Sequence, residues 1–308
     1  MEIYLPIAEQ SMNVFVLLAL GGAAGLLAGM FGVGGGFLAT PLLIFVGIPP
    51  AVAVASQANQ VVANSISSLQ VQWRRGNVDL RMGLILLLGG MVGSSAGVTL
   101  FTYLKRIGQI DFVIAVLYVV MLSAIGGLMM YESLGTWLKR RRNPTAPRGK
   151  LHTHYLVHRL PWKMRFYKSK LYISAFLPIG LGFVIGILSA ILGVGGGFVL
   201  VPAMIYLLGM PTTVVIGTSN FQILFVAANV TFLQAATNGT VDVVLALLLI
   251  LGGVIGAPIG ARLAAKLPGV ALRGLMALLI LMVAGQLLID LVRTPASPYS
   301  LGLREVLP

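Results

Sequence analysis

Two glycine-rich stretches contain the residues of this sequence best suited to hold a ligand. Residues 31–37 read Phe-Gly-Val-Gly-Gly-Gly-Phe, and residues 192–198 read Leu-Gly-Val-Gly-Gly-Gly-Phe. Consecutive glycines cost a helix interior about 1 kcal/mol each relative to alanine, so we expect the chain to unwind at both places. A helix that begins after such a break offers free backbone N–H groups and the positive end of its dipole, which suit an anion. The glycines of this predicted site are Gly34, Gly35, Gly36, Gly195, Gly196 and Gly197.

Polar side chains within two apolar segments form a second candidate set. Their spacings of three, four and seven residues place each group on one face of a helix. Gln60 and Gln222 are favoured as substrate contacts, because they match in an internal repeat and an amide N–H can donate to an oxyanion. The set comprises Ser56, Gln60, Asn64, Ser219, Gln222 and Asn229.

Both sets have a purely structural alternative. The glycines could serve only to let helices pack closely or bend, as small residues do in membranes. Buried amides and hydroxyls commonly join membrane helices through hydrogen bonds worth about 0.6 kcal/mol each. The anion site is favoured because the glycine triplet is duplicated beside two unusually short segments, which is the pattern expected of a site at the membrane midplane.

Groups for catalysis or metal binding are scarce. The sequence has no cysteine, and its three histidines, His152, His154 and His158, lie in a strongly basic stretch whose charge opposes a metal cation. Asp79 and Asp242 lie near segment ends, where starting a helix or lying at the membrane interface is the expected role. The sequence therefore predicts no catalytic residue, no metal and no cofactor.

The elements that position these residues must lie in lipid. Of 308 residues, 58% are hydrophobic and 9% are charged, and the mean hydropathy is +0.97, which is outside the range of a soluble domain. The second and seventh apolar segments would cover only about half of the hydrocarbon thickness and are predicted to be half-helices. The ten segments span residues 12–31, 37–47, 51–72, 82–104, 110–134, 172–191, 197–208, 213–235, 242–265 and 270–291.

An internal repeat relates the first five segments to the last five. The offset between matching residues is 161 at the glycine motifs and grows to 163, which two single-residue insertions explain. The turn at residues 74–81 contains Arg74, Arg75 and Arg81, whereas its counterpart at residues 234–242 has no basic residue. Under the positive-inside rule these turns face opposite sides of the membrane. The predicted fold is thus an all-α polytopic membrane protein with two inverted five-segment repeats, broken at the glycine motifs.

A basic stretch separates the two halves. Residues 139–170 hold 11 of the 21 lysines and arginines, and the net charge is +13. We predict three regions: a first membrane repeat at 1–138, a cytoplasmic linker at 139–170 that contacts anionic lipid, and a second repeat at 171–308. Both termini are then periplasmic. No nucleic-acid partner is predicted, and a homo-oligomer stays open.

The sequence resembles the TauE/SafE family of sulfite exporters. The resemblance rests on the duplicated Gly-Val-Gly-Gly-Gly-Phe with its following proline, on Ala55-Ser56 and Gly217-Thr218-Ser219, and on residues 75–79, Arg-Gly-Asn-Val-Asp. It covers about residues 15–104 and 178–290. It implies a secondary transporter of the bacterial inner membrane that moves sulfite or an organosulfonate such as sulfoacetate.

The expected mechanism is alternating access, in which the two halves rock around one anion site formed by the glycine breaks and the amides. A passive anion channel is an alternative, because an uncharged interior also permits it. A membrane enzyme of sulfur or lipid metabolism is disfavoured, since such chemistry needs acid, base or metal groups close together.

Overall fold

Ten α-helices make up most of the part of the chain that the computed structural model describes, which is residues 2–31, 36–142, 163–169, 171–266 and 269–292. The first half contains α1 (Val14–Phe31), α2 (Gly36–Phe45), α3 (Pro50–Arg74), α4 (Leu80–Arg106) and α5 (Ile110–Arg142). The second half contains α6 (Phe176–Leu192), α7 (Gly197–Tyr206), α8 (Thr212–Leu233), α9 (Val243–Lys266) and α10 (Gly269–Val292). The prediction of an all-α membrane protein is confirmed.

The lengths of the helices fit a membrane. Five stretches in the described residues are long and apolar enough to cross a bilayer, and they lie in α4, α5, α8, α9 and α10. Helices α2 and α7 have 10 residues each, or about 15 Å at 1.5 Å per residue, which is half of the hydrocarbon thickness. The short second and seventh segments are therefore separate short helices, as the sequence predicts.

One β-hairpin precedes the first helix of each half, and the sequence analysis missed both hairpins. Strand β1 (Glu2–Leu5) pairs with β2 (Gln10–Asn13), and β3 (Lys163–Phe166) pairs with β4 (Leu171–Ser174). The hairpins match at the offset of 161 that relates the glycine motifs. The sixth segment, predicted from residue 172, consequently begins as a helix only at Phe176, and part of the predicted linker is strand.

The closest helix packing joins the two halves. Helix α1 packs along α9, and the matching pair, α4 and α6, packs in the same way. A Cβ at Gly252, Gly256 or Gly260 would overlap a carbonyl oxygen of α1. Of the glycines that match them in α4, Gly89 and Gly93 would meet carbonyl oxygens of α6 just as closely, and Gly97 lies slightly farther from that helix. Glycine therefore lets both helix pairs touch backbone to backbone.

Helices α3 and α8, which match in the repeat, run in opposite directions. The N-terminal part of α8 lies beside the turn that follows α3, where Thr218 accepts a hydrogen bond from the backbone of Asp79. Ser56, near the start of α3, likewise accepts from the backbone of Asp242, which follows α8. The opposite orientation of the two complete halves in a membrane stays a prediction, which these contacts support.

Several predictions concern residues outside the described part of the chain. These are Gly34 and Gly35 of the first glycine triplet, the histidines, and most of the basic linker 139–170. The division into 1–138, 139–170 and 171–308 stays a prediction.

Candidate functional site

The second glycine motif breaks the chain between α6 and α7. Helix α6 ends at Leu192, and Gly193, Gly195 and Gly196 all have positive φ, at 68°, 67° and 74°. This left-handed backbone ends a helix and is readily adopted only by glycine. Helix α7 then begins at Gly197, with Gly196 as its N-cap. The predicted unwinding at residues 193–197 is therefore present, and the residues around it are buried.

The start of α2 meets the α6–α7 break at the centre of the structure. Gly36, the first residue of α2, packs so closely that a Cβ there would lie 3.2 Å from Cα of Val194 and 2.7 Å from the side chain of Val61. A Cβ at Gly195 would contact Val61 and Ile223. Because Val61 and Ile223 match in the repeat, the start of α2, the α6–α7 break and the middles of α3 and α8 come together here.

The two short helices also touch through their first aromatic residues. The rings of Phe37 and Phe198, which match in the repeat, are stacked with centroids 4.6 Å apart and an interplanar angle of 8°. A cavity of about 10 Å³ lies beside these rings and is also lined by Tyr118, Val194 and Gly196. That space holds about one water-sized sphere. The centre is therefore closed around the start of α2 and the α6–α7 break.

Tyr118 of α5 fixes the end of α6 beside the break. Its hydroxyl is fully buried and donates to the backbone carbonyl of Leu192, the last residue of α6. The last carbonyls of a helix have no partner within the helix, so this bond satisfies one of them. The sequence analysis did not single out Tyr118, because a tyrosine in an apolar segment gives no signal of such a contact.

The amide of Gln60 is bonded to main-chain carbonyls of two helices. Its Nε2 donates to the oxygens of Gly21 in α1, at 3.1 Å, and of Leu249 in α9, at 2.8 Å. Its Oε1 accepts from Nε2 of Gln57 at 2.7 Å. An amide NH₂ has two donor hydrogens, so both hydrogens of Gln60 are engaged. Gln60 therefore ties α3 to α1 and α9.

The matching glutamine, Gln222, is bonded differently. Its side chain is fully buried, yet neither its Nε2 nor its Oε1 has a hydrogen-bond partner. It lies against α4, where a Cβ at Gly90 would be 2.6 Å from Nε2. The side chains that contact the glycine break from α3 and α8 are Val61 and Ile223, each one residue after a glutamine.

The remaining predicted site residues are placed on helix contacts. Ser219 donates to its own helix at the oxygen of Ile216, 3.2 Å away. Asn229 donates to Ser94 of α4 at 2.8 Å, and Asn64 is buried within α3. These residues, like Ser56, are brought close to helix neighbours, whereas Gly36, Gly195 and Gly196 are brought together at the centre.

Asp79 and Asp242 join three pieces of chain each. The carboxylate of Asp79 accepts from Met82, in the first turn of α4, and from the backbone and hydroxyl of Ser169, in the turn of hairpin β3–β4. The carboxylate of Asp242 accepts from Leu245, in the first turn of α9, and from Ile7, in the turn of hairpin β1–β2. Their predicted helix-start role is present, and the hairpin contacts come in addition.

The match to a protein family covers most of the chain. The family model described as sulfite exporter TauE/SafE matches residues 17–287, which include both glycine motifs and both matched aspartates. The chain belongs to the TauE/SafE family. The resemblance read from the glycine motifs is thus confirmed.

Proteins related to this TauE/SafE member are described as probable membrane transporters. A probable membrane transporter protein of Xylella fastidiosa (strain 9a5c) is 31% identical over 245 residues, which are 79% of this chain and 81% of the relative. The probable membrane transporter proteins YunE and YjnA of Bacillus subtilis (strain 168) are 27% and 29% identical, over 78% and 79% of this chain and 85% and 87% of their own. No solved structure matches the chain. The family match, these relatives and the apolar spans together make the TauE/SafE chain a multi-pass membrane transporter. This conclusion argues against the membrane-enzyme alternative.

Proposed function

We propose that the protein is a secondary transporter that moves a small anion, sulfite or an organosulfonate such as sulfoacetate, by alternating access. The observation that carries this proposal is the meeting of the start of α2 with the α6–α7 break at a buried centre, beside the stacked Phe37 and Phe198. The proposed site comprises the glycines of both breaks and the polar face of α3 and α8. The first turns of α2 and α7 supply N–H groups to the anion without a formal positive charge.

Matching contacts support the rocking of two halves. The contacts of α1 with α9 recur in the contacts of α6 with α4, and the aspartate contacts also occur twice. An arrangement built from two equivalent parts has two related ways to open, one on each side of a central site. Sub-ångström shifts at the site can then favour one arrangement over the other.

We place the protein in the bacterial inner membrane with hairpin β3–β4 on the cytoplasmic side. Arg81 lies over the ring of Tyr167 in that hairpin, and Lys168 donates to the oxygen of Gly76 in the turn after α3. The exposed cations of the hairpin and of the 74–81 turn thus gather at one end of the molecule. Positive charge at one end supports this orientation, with the linker 139–170 against anionic lipid.

Exchange of labelled sulfite in reconstituted vesicles tests the proposal. Purified protein in liposomes is expected to take up ³⁵S-sulfite faster when the vesicles contain unlabelled sulfite, and sulfoacetate serves as a second probe. With the membrane potential held at zero by potassium and valinomycin, such stimulation from the opposite side indicates a carrier, since a passive channel then gives no exchange beyond the gradient. Flux that neither saturates nor shows this stimulation would indicate a channel, and no flux of either anion would reject the proposed substrates.

A pair of glycine variants tests the role of the helix break. Gly195 and Gly209 both have positive φ, at 67° and 72°, so alanine is strained at either position. Only at Gly195 would the added methyl group enter the centre, because Gly209 has nothing within 4 Å. Gly195→Ala is expected to lower the exchange rate about tenfold or more, whereas Gly209→Ala should keep it within about twofold. Equal effects of the two variants on folded protein would contradict the placement of the site.

A further inference from the structure

Gln60 and Gln222 occupy matching places in the helix packing. The side-chain nitrogen of Gln60 lies over Gly253 of α9, where an added Cβ would collide with it. The nitrogen of Gln222 lies over Gly90 of α4, where a Cβ would be 2.6 Å away. Gly90 and Gly253 match in the repeat at the offset of 163. Each amide thus lies over the equivalent glycine of the opposite half.

Equivalent backbone acceptors lie beside both glutamines, but only Gln60 donates hydrogen bonds to them. Gln60 donates to the carbonyl oxygens of Gly21 and Leu249. The oxygens that match these belong to Gly182 and Leu86, and the helices carrying them approach just as closely, because a Cβ at Gly182 would overlap the Leu86 oxygen. Gln222 nevertheless has no partner at either amide atom. The backbone packing is therefore the same, and the side-chain bonding differs.

One sequence difference beside the two glutamines coincides with this asymmetry. Gln57, one turn before Gln60, donates its amide to Oε1 of Gln60 at 2.7 Å and so fixes the orientation of that side chain. The residue that matches Gln57 is Ser219, whose short hydroxyl is bonded back to the oxygen of Ile216. Nothing in α8 therefore orients Gln222 as Gln57 orients Gln60.

A buried amide without partners is unfavourable unless a ligand or water binds to it. Gln222 has two free N–H donors and a free oxygen, all removed from solvent. We infer that Gln222 is the amide that contacts the transported oxyanion, and that Gln60 is a positioning residue that ties α3 to α1 and α9. This inference rests on the proposed function and deepens it, because it places the anion nearer to α4 and α8 than to the helices that match them in the repeat, α9 and α3.

The same substitution, glutamine to methionine, at the two positions distinguishes the ligand-binding role of Gln222 from the positioning role of Gln60. Gln222→Met removes unpartnered polar atoms, so it is expected to keep the melting temperature Tm of the purified protein or to raise it. It should also raise the sulfite concentration for half-maximal exchange at least tenfold. Gln60→Met breaks bonds to three partners, so it is expected to lower Tm by several degrees and to act mainly on the maximal rate. Asn59→Leu is the matched control, since Asn59 donates only to carbonyls of its own helix.

The two measurements distinguish the inference from the proposed function. A fall in Tm for Gln222→Met as large as that for Gln60→Met would overturn the inference, because both amides would then be structural. An unchanged half-maximal concentration in Gln222→Met would also overturn it. If the unmodified protein transports neither sulfite nor sulfoacetate, the proposed substrates fail, while the comparison of the two Tm values still decides whether Gln60 alone is structural.

Discussion

Asp79 and Asp242 illustrate how much one side chain contributes to this structure. Each caps the helix that follows it, holds the turn of a hairpin, and presents its own N–H to a hydroxyl of the opposite half. Carboxylates at the first turn of a helix also interact favourably with its dipole. These residues therefore link local helix formation to the assembly of both halves.

Removal of the Asp79 carboxylate should release hairpin β3–β4. Asp79→Ala deletes the cap of α4, worth about 0.5–2 kcal/mol, and the two bonds to Ser169. We expect a lower Tm and faster tryptic cleavage after Lys168, measured by mass spectrometry of the fragments. The exposed Asp290 supplies the control, as Asp290→Ala should change neither. Cleavage at an unchanged rate in Asp79→Ala would show that other contacts hold the hairpin.

At the residue scale the sequence predicts which polar groups are buried but not how they are bonded. The spacing of Gln60 and Gln222 predicts two equivalent contacts, and both are indeed buried. Their different bonding depends on whether the residue one turn earlier is long or short, as Gln57 and Ser219 are, and on which carbonyls the opposite half presents. Such contacts between halves are set by tertiary packing, which periodicity does not reveal.

Among the elements, the paired helices α4–α6 and α1–α9 depend most on glycine. The carbonyl of Phe183 in α6 occupies the space that a side chain at Gly93 of α4 would need. The whole helix pair must therefore move if the residue at this position gains a Cβ.

Gly93→Ala should destabilise the protein through this contact. Overpacking of a close interface costs about 1–3 kcal/mol, so we expect a lower Tm in detergent and a loss of exchange activity. The control is Gly127→Ala in α5, where nothing lies within 4 Å and where alanine favours the helix. Tm should stay the same or rise in the control. An equal Tm in both variants would mean that α4 and α6 can separate without a penalty.

Helix positions were largely predictable, whereas the strands were not. The segment predicted at 82–104 is the helix Leu80–Arg106, because a long apolar run in lipid must satisfy its backbone internally. The strand Glu2–Leu5 alternates in character over only four residues, and Lys163–Phe166 lies in a stretch dominated by charge. The hairpins match at the offset of 161 only in the structure, because no residue of 2–13 is identical to its counterpart in 163–174, so the repeat in the sequence does not reveal them.

Over the whole molecule, charge distinguishes the two ends. Hairpin β3–β4 and the 74–81 turn carry exposed cations, whereas hairpin β1–β2 contains Glu2 and Glu9 and no basic residue. The two hairpins are tied to opposite ends of the antiparallel helices α3 and α8. This distribution supports opposite locations for the hairpins across the membrane.

Single cysteines can test that orientation directly, because the natural chain contains none. Tyr4→Cys and Tyr167→Cys each place a thiol on an exposed hairpin position. In intact cells with a permeable outer membrane, a maleimide that cannot cross the inner membrane is expected to label Tyr4→Cys at once. Tyr167→Cys should react only after the inner membrane is opened. Labelling of both from outside, or of neither, would contradict the inverted topology.

Neither half of this chain can complete its own structure. The turn of hairpin β1–β2 donates a hydrogen bond to Asp242, and the turn of hairpin β3–β4 donates one to Asp79. Each half therefore supplies the carboxylate that binds the hairpin of the other half. A polypeptide containing one half alone would satisfy these groups only against a second copy lying head to tail with it, as α3 lies against α8. The present chain thus corresponds to such a dimer whose two copies are joined by the linker between α5 and β3. Cutting the peptide between α5 and β3 should leave two fragments that remain bound to each other.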